Sequence, residues 1–232
     1  MPHPHQLPLS TAAIPGLEVT AAALPAERGG RGDFVDVFKA QRVFGVAWGD
    51  LSGNGPAVGP LVTAAKALLR ANLVSHPAAG ATAHRLSRIL YHVFYEERSL
   101  AMVFATYEPE QRRLVLCNCG GWPPILLSGG HARPLGEMEP RLGDYDVWRY
   151  APVAVTLSPG DTLVGFTAGL PESRRGGEIL GTAPLRGVLE RRRETELPAL
   201  ADELLQLSGG DSSHLHPSSV VALRVVEAGT RS

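Results

Sequence analysis

The chain has 232 residues, 22 of them basic and 23 acidic, for a formal net charge of −1. With 44% hydrophobic and 19% charged residues it holds ample material for a core and no disorder signature, and its length suits one large domain. Near-neutrality excludes a general nucleic-acid or polyanion binder, which carries a basic excess.

Residues 1–16 are rich in Pro and His and read as a flexible N-terminal arm, without the basic start and apolar run of a signal peptide. Leu17–Ala23 has strand character, and Phe34–Phe38 and Val43–Trp48 pattern as paired strands. A glycine-punctuated turn, Gly49 to Gly55, follows, and Pro56 suits the entry to a helix over Ala57–Val74. There Val58, Leu61, Val62, Ala65, Leu68 and Leu69 recur at helical spacing. A second helix is predicted over Ala81–Glu97, with Leu86, Ile89, Leu90, Val93 and Phe94 on one face.

Leu100–Tyr107 and Arg113–Asn118 flank Pro109-Glu110-Gln111 as a hairpin, and Pro124–Leu127 continues in strand. Gly129 to Trp148 reads as loop-rich. Thr162–Phe166 is a short apolar run after a Pro-Gly-Asp turn, the pattern of a buried strand. Pro184–Arg193 and Leu197–Leu207 pattern as helices, and Ser219–Val226 as a closing strand. Strands in runs with helices in pairs give an α+β class, and no linker interrupts residues 17–232, so a single domain is expected. Cys117 and Cys119 are too few for a disulfide framework and fit inward-facing strand positions as reduced thiols. No stretch reaches the roughly eighteen apolar residues of a membrane span. A cytoplasmic protein with neither membrane nor nucleic acid among its partners is expected.

Asp33 and Asp36 open a strand beside Gly30-Arg31-Gly32, and Asp50 ends another inside the Gly49–Gly55 turn. Carboxylates at strand ends beside glycine turns suit a hard cation such as Mg²⁺ or Mn²⁺, which takes oxygen ligands. On spacing alone the same residues serve equally as turn and helix caps.

The order of segments along the chain separates these readings. GRGDFVD at 30–36, VAWGDLSGNG at 46–55, NCGGWPP at 118–124, SPGDTLVGFTAGLPES at 158–173 and SSVVALRVV at 218–226 follow one another. This series resembles the PPM (PP2C-like) serine/threonine phosphatases, in particular their SpoIIE/RsbU/RsbX-type branch. The resemblance implies a four-layer α-β-β-α sandwich, two antiparallel sheets flanked by helices. It also implies two Mg²⁺ or Mn²⁺ ions held by Asp side chains, and a bound water that attacks phosphoserine or phosphothreonine. By resemblance Asp33 and Asp50 are metal ligands at the catalytic centre, the Leu51 main-chain carbonyl is a further ligand, and Asp36 supports them. The partners implied are phosphorylated signalling proteins of bacterial stress or sigma-factor pathways, such as an anti-sigma-factor antagonist or a stressosome-like protein.

The match breaks at defined places. The family's Thr-Asp-Gly aspartate falls on Ala168, its paired aspartates before the last strand fall on Ser218 and Ser219, and its Ala-Gly-His histidine falls on Gly121. Methyl and hydroxyl groups do not replace the carboxylates that offset the cost of dehydrating a divalent ion, so metal binding is weakened. Asp211, His214 and His216 precede the last strand and offer substitutes for the lost ligands; the alternative is a solvated loop. Arg31 could meet a substrate phosphate. Two functions therefore stand: a protein phosphatase with an incomplete metal site, and a catalytically impaired pseudophosphatase that binds a phosphoprotein as a regulatory module.

Overall fold

The computed structural model describes residues 5–7, 14–24, 32–40, 43–53, 55–75, 78–94, 98–208 and 217–227. Most of the predicted N-terminal arm lies outside the described residues, as do Arg31, Asp211, His214 and His216. The chain folds as two compact units, one of residues 30–123 and 136–156, the other of residues 1–29, 124–135 and 157–232.

The unit of residues 30–123 and 136–156 is built on strands β3 (Asp33–Ala40), β4 (Val43–Leu51), β5 (Leu100–Glu108), β6 (Arg113–Cys119) and β9 (Val153–Thr156). They form one sheet in the order β3-β4-β5-β6-β9, every pair antiparallel. Helices α1 (Val58–Ser75) and α2 (Ala79–Phe94) pack on it. Alternation assigns the faces: Phe34, Phe38, Ala47, Leu51, Met102, Phe104, Cys117 and Cys119 join the core with α1 and α2. Val58, Val62, Ala65, Leu69 and Leu73 supply the α1 stripe, at spacings of three and four. Val46, Trp48, Val103 and Tyr107 point to the other face and are also buried. Two-sided burial is why these strands lack a clean polar–apolar alternation in sequence.

The other unit is a six-stranded sheet in the order β1-β2-β13-β10-β7-β8. Its strands are β1 (His5–Gln6), β2 (Leu17–Leu24), β7 (Ile125–Ser128), β8 (His131–Pro134), β10 (Thr162–Phe166) and β13 (Ser218–Val225). Helix α3 (Ala183–Arg191) packs on β7 and β8, and α4 (Leu197–Gln206) on β2 and β13. A two-residue hairpin, β11 (Arg174–Arg175) with β12 (Glu178–Ile179), stands apart from both sheets.

The α+β class with two antiparallel sheets is as expected, and the main elements fall within a few residues of their predicted bounds. Five strands depart from the sequence reading, the two of the β11–β12 hairpin and three others. β1 lies in the arm: it pairs with Ala22 and Ala23, and Gln6 is held by Thr20 and Asp202. β8 falls in the stretch read as loop, and β9 lies just beyond it. Both are four-residue sheet edges, where few side chains need be apolar.

Candidate metal and phosphate site

Asp33 opens β3 and Asp50 is the penultimate residue of β4, and the two are register partners across the strand pair. Directly opposed residues of an antiparallel pair hold their Cβ atoms about 5 Å apart on one face. That face is opposite to the one carrying Phe34 and Leu51 into the helix core. Two carboxylates so placed offer oxygen ligands of the kind a hard divalent cation takes. Glycines make the approach possible. A Cβ on Gly32 would stand 2.3 Å from the Leu51 carbonyl oxygen, and one on Gly49 1.9 Å from that of Ala101. The Gly32 carbonyl accepts the Leu51 N–H at 3.2 Å, which sets the chain direction just after Asp50.

Asp36 lies three residues beyond Asp33, on the opposite face, and is 5% exposed. Arg70 of α1 donates to both its oxygens, from Nε at 2.9 Å and from Nη2, while the Lys66 ammonium stands 3.4 Å away. This cluster of a buried acid and two partly exposed cations tethers β3 to α1, so Asp36 touches the helix and not the Asp33–Asp50 pair.

In the other unit, the end of β10 meets the start of β13. The Thr167 N–H donates to the Ser219 carbonyl at 3.0 Å, and the Ser219 N–H donates to Thr167 Oγ1 at 2.9 Å. A Cβ on Gly169 would meet the Pro217 carbonyl oxygen at 2.0 Å and Ser218 Oγ at 2.9 Å. Ala168, Ser218 and Ser219 are thus brought together in one corner, with both serines buried. The corner displays a methyl group and hydroxyls. Among the described residues, no three His, Cys, Asp or Glu side chains cluster as a metal site.

Gly121 donates its N–H to Asn118 Oδ1 at 2.9 Å, and a Cβ there would lie 2.5 Å from Val103 Cγ2. A histidine at this position would need Val103 to move. Cys117 and Cys119 are fully buried among the helix contacts. Burial, and then a hydrogen bond with Cys117, push the Cys119 thiol well above its ordinary range, so it stays protonated.

The segment 139–142, within the stretch read as loop, was not singled out by sequence. Leu142 and Leu100 exchange both main-chain hydrogen bonds, at 3.0 and 2.9 Å, and Glu139 bridges Cys119. No local signal reveals a pairing across 42 positions; the spacing of Gly120 and Arg141 carries none either.

Residues 40–216 match the family of stage II sporulation protein E, SpoIIE. The chain belongs to the SpoIIE family. It is similar in structure to the RsbU and RsbW domains of a Mycobacterium tuberculosis protein, with a TM-score of 0.79 at 20% identity over 92% of this chain and 61% of that one. It is similar also to the PP2C phosphatase domain with a regulatory fragment of SpoIIE from Bacillus subtilis. There the TM-score is 0.70 at 16% identity, over 90% of this chain and 63% of the other. RsbX in complex with magnesium gives 0.65 at 15% identity, over 91% of this chain and all of that one. This SpoIIE-family chain spans less than two thirds of the first two structures. At such identities the likeness is one of fold, and that fold is PP2C-like. No curated protein sequence matches the chain. Among the described residues, no helix is long and apolar enough to cross a membrane.

Proposed function

We propose that this SpoIIE-family chain recognises a phosphorylated signalling protein and is impaired as a phosphatase, because Ala168, Ser218 and Ser219 replace carboxylates of the family's metal site. The observation that carries this reading is the contrast between two corners. Asp33 and Asp50 oppose each other across β3 and β4, whereas Ala168, Ser218 and Ser219 stand where the resemblance to the family leads one to expect further carboxylates.

The first corner fits one divalent ion. Asp33, Asp50 and the Leu51 carbonyl would hold Mg²⁺ or Mn²⁺, both of which favour carboxylate and carbonyl oxygen. A cation there would lower the pKa of a bound water and offset charge on phosphoryl oxygens. The second corner does not fit a further ion, since alanine offers no donor and a neutral hydroxyl supplies no compensating charge. Asp36 keeps β3 seated on α1 and so maintains the Asp33 position. The two units would act as one domain, because the chain passes from one to the other repeatedly: residues 30–123 and 136–156 alternate with 124–135 and 157–232.

The likeness to RsbU, SpoIIE and RsbX supports a sigma-factor or stress-signalling phosphoprotein as the partner. It also supports the second reading, a phosphatase that turns over slowly on a single ion. Restoring the acids tests the proposal. Phosphoserine-peptide hydrolysis in Mn²⁺ is measured for the wild type and for A168D/S219D, with A168N/S219N as the control for shape. A gain of at least about tenfold for the Asp variant alone, consistent with recovering about 1.4 kcal/mol of barrier, supports impairment by lost carboxylates. Fast wild-type turnover that the added acids leave unchanged contradicts it.

A further inference from the structure

The edge of an antiparallel sheet is open to a further strand, and β8 is the last strand of its six-stranded sheet. It pairs with β7 through a two-residue hairpin, with Ser128 opposite His131 across Gly129 and Gly130. In such a hairpin the flanking pair turns its main-chain groups inward, so the next residue, Ala132, turns its N–H and C=O away from β7. An open edge would leave both groups to water or to another chain. Ala132 is instead buried, and both groups are taken by side chains of α3. Its N–H donates to Glu190 Oε1 at 2.9 Å, and its carbonyl accepts from Arg186 Nε at 2.9 Å.

The helix is seated so that its side chains reach this edge. Leu185, Val188 and Leu189 form its buried stripe, and α3 packs on β7 and β8. Arg186 and Glu190, four residues apart, share one flank of the helix, and both reach Ala132. One guanidinium donor and one carboxylate acceptor stand where an adjacent strand would offer an N–H and a C=O. Their charge makes both bonds stronger than those of a ladder. The next outward position is Pro134, which has no N–H to offer. Arginine, glutamate and proline together leave this side of β8 without a free donor at 132 or 134.

We propose that Arg186 and Glu190 act as a latch that closes the β8 edge, and that the strand it keeps out is β8 of a second copy of this chain. The outward N–H and C=O belong to one residue. Two copies related by a two-fold axis at Ala132 would therefore satisfy each other with a pair of main-chain hydrogen bonds. The same pairing is available in every copy, so an open β8 would join the six-stranded sheets of two copies into one.

The test has two readouts. The first is hydrogen exchange at the Ala132 amide, followed by NMR in the wild type, Glu190→Ala and Glu190→Gln. Glu190→Ala is expected to exchange at least about tenfold faster, while Glu190→Gln, which keeps an acceptor oxygen, stays within about threefold of the wild type. The second is sedimentation of the wild type, R186A/E190A and R186A/E190A/P134T over one concentration series, with thermal melts to check the fold. The triple variant gains a donor at position 134. It is expected to reach a given average mass at a concentration at least about tenfold below the wild type, with the double variant between them. Equal Ala132 exchange in Glu190→Ala and the wild type overturns the latch, even where the multiple variants fail to fold. Folded variants with the mass of the wild type at every concentration overturn its role against self-association.

Discussion

Asp33 and Asp50 stand directly opposite each other across β3 and β4, the first residue of one strand against the penultimate residue of the next. Two acids so placed offer a divalent cation carboxylate oxygens from two adjacent strands.

Removing one charge should be felt through the ion. The wild type gains stability from ion binding and Asp50→Asn does not, so the gap between their melting temperatures widens in Mn²⁺ relative to chelator. Thermal melts in the two buffers make the comparison, and a gap that Mn²⁺ leaves unchanged contradicts a shared cation at this pair.

The Asp36 cluster should behave as a structural clamp. Arg70→Met leaves a buried carboxylate with Lys66 as its remaining cation among the described residues. The expected cost is about 1–3 kcal/mol. Asp36→Asn should cost less, since the freed Arg70 and Lys66 are partly exposed and can take water. Urea midpoints at constant slope measure both, and the reverse order would show that the cluster is not held together by the buried acid.

Two glycine substitutions are expected to differ in sign. Gly49→Ala forces a Cβ onto the Ala101 carbonyl at 1.9 Å, between paired strands that cannot part without losing their ladder. A loss of about 3 kcal/mol or outright misfolding is expected. Gly59, in the first turn of α1, has open space around an added Cβ. Gly59→Ala should gain about 0.5 kcal/mol through reduced chain entropy and better helix propensity. Denaturant melts of the pair decide the matter.

The buried thiols give an alkaline limb. With its folded pKa raised by burial, Cys119 binds its proton more tightly in the folded than in the unfolded chain. Its contribution to stability is full below the ordinary thiol value near 9 and is lost as the pH climbs from there towards the raised value. Tyr107 and Tyr150, also raised by burial, act in the same direction at higher pH. Melting temperature should fall above about pH 9, and less steeply in Cys119→Ala; identical slopes would remove Cys119 as a cause.

Much of this was legible in the sequence, for physical reasons that differ by element. The α1 stripe from Val58 to Leu73 and the apolar run Thr162–Phe166 are written in local periodicity, so both elements were foreseen within a residue or two. Asp33 and Asp50 were legible because glycine turns mark where backbones approach. The strands β8 and β9 were not, since an edge strand buries little and is specified by its neighbour. The role of Asp36 appeared only with Arg70, 34 positions away, and the Leu100–Leu142 pairing joins residues 42 positions apart.

Calorimetric titration of the wild-type protein with Mn²⁺, repeated on Asp50→Asn, tests the half-kept metal site most directly. No more than one cation per chain is expected, with the heat abolished in the variant. Binding of two cations per chain, or binding that survives loss of the Asp50 charge, would contradict it.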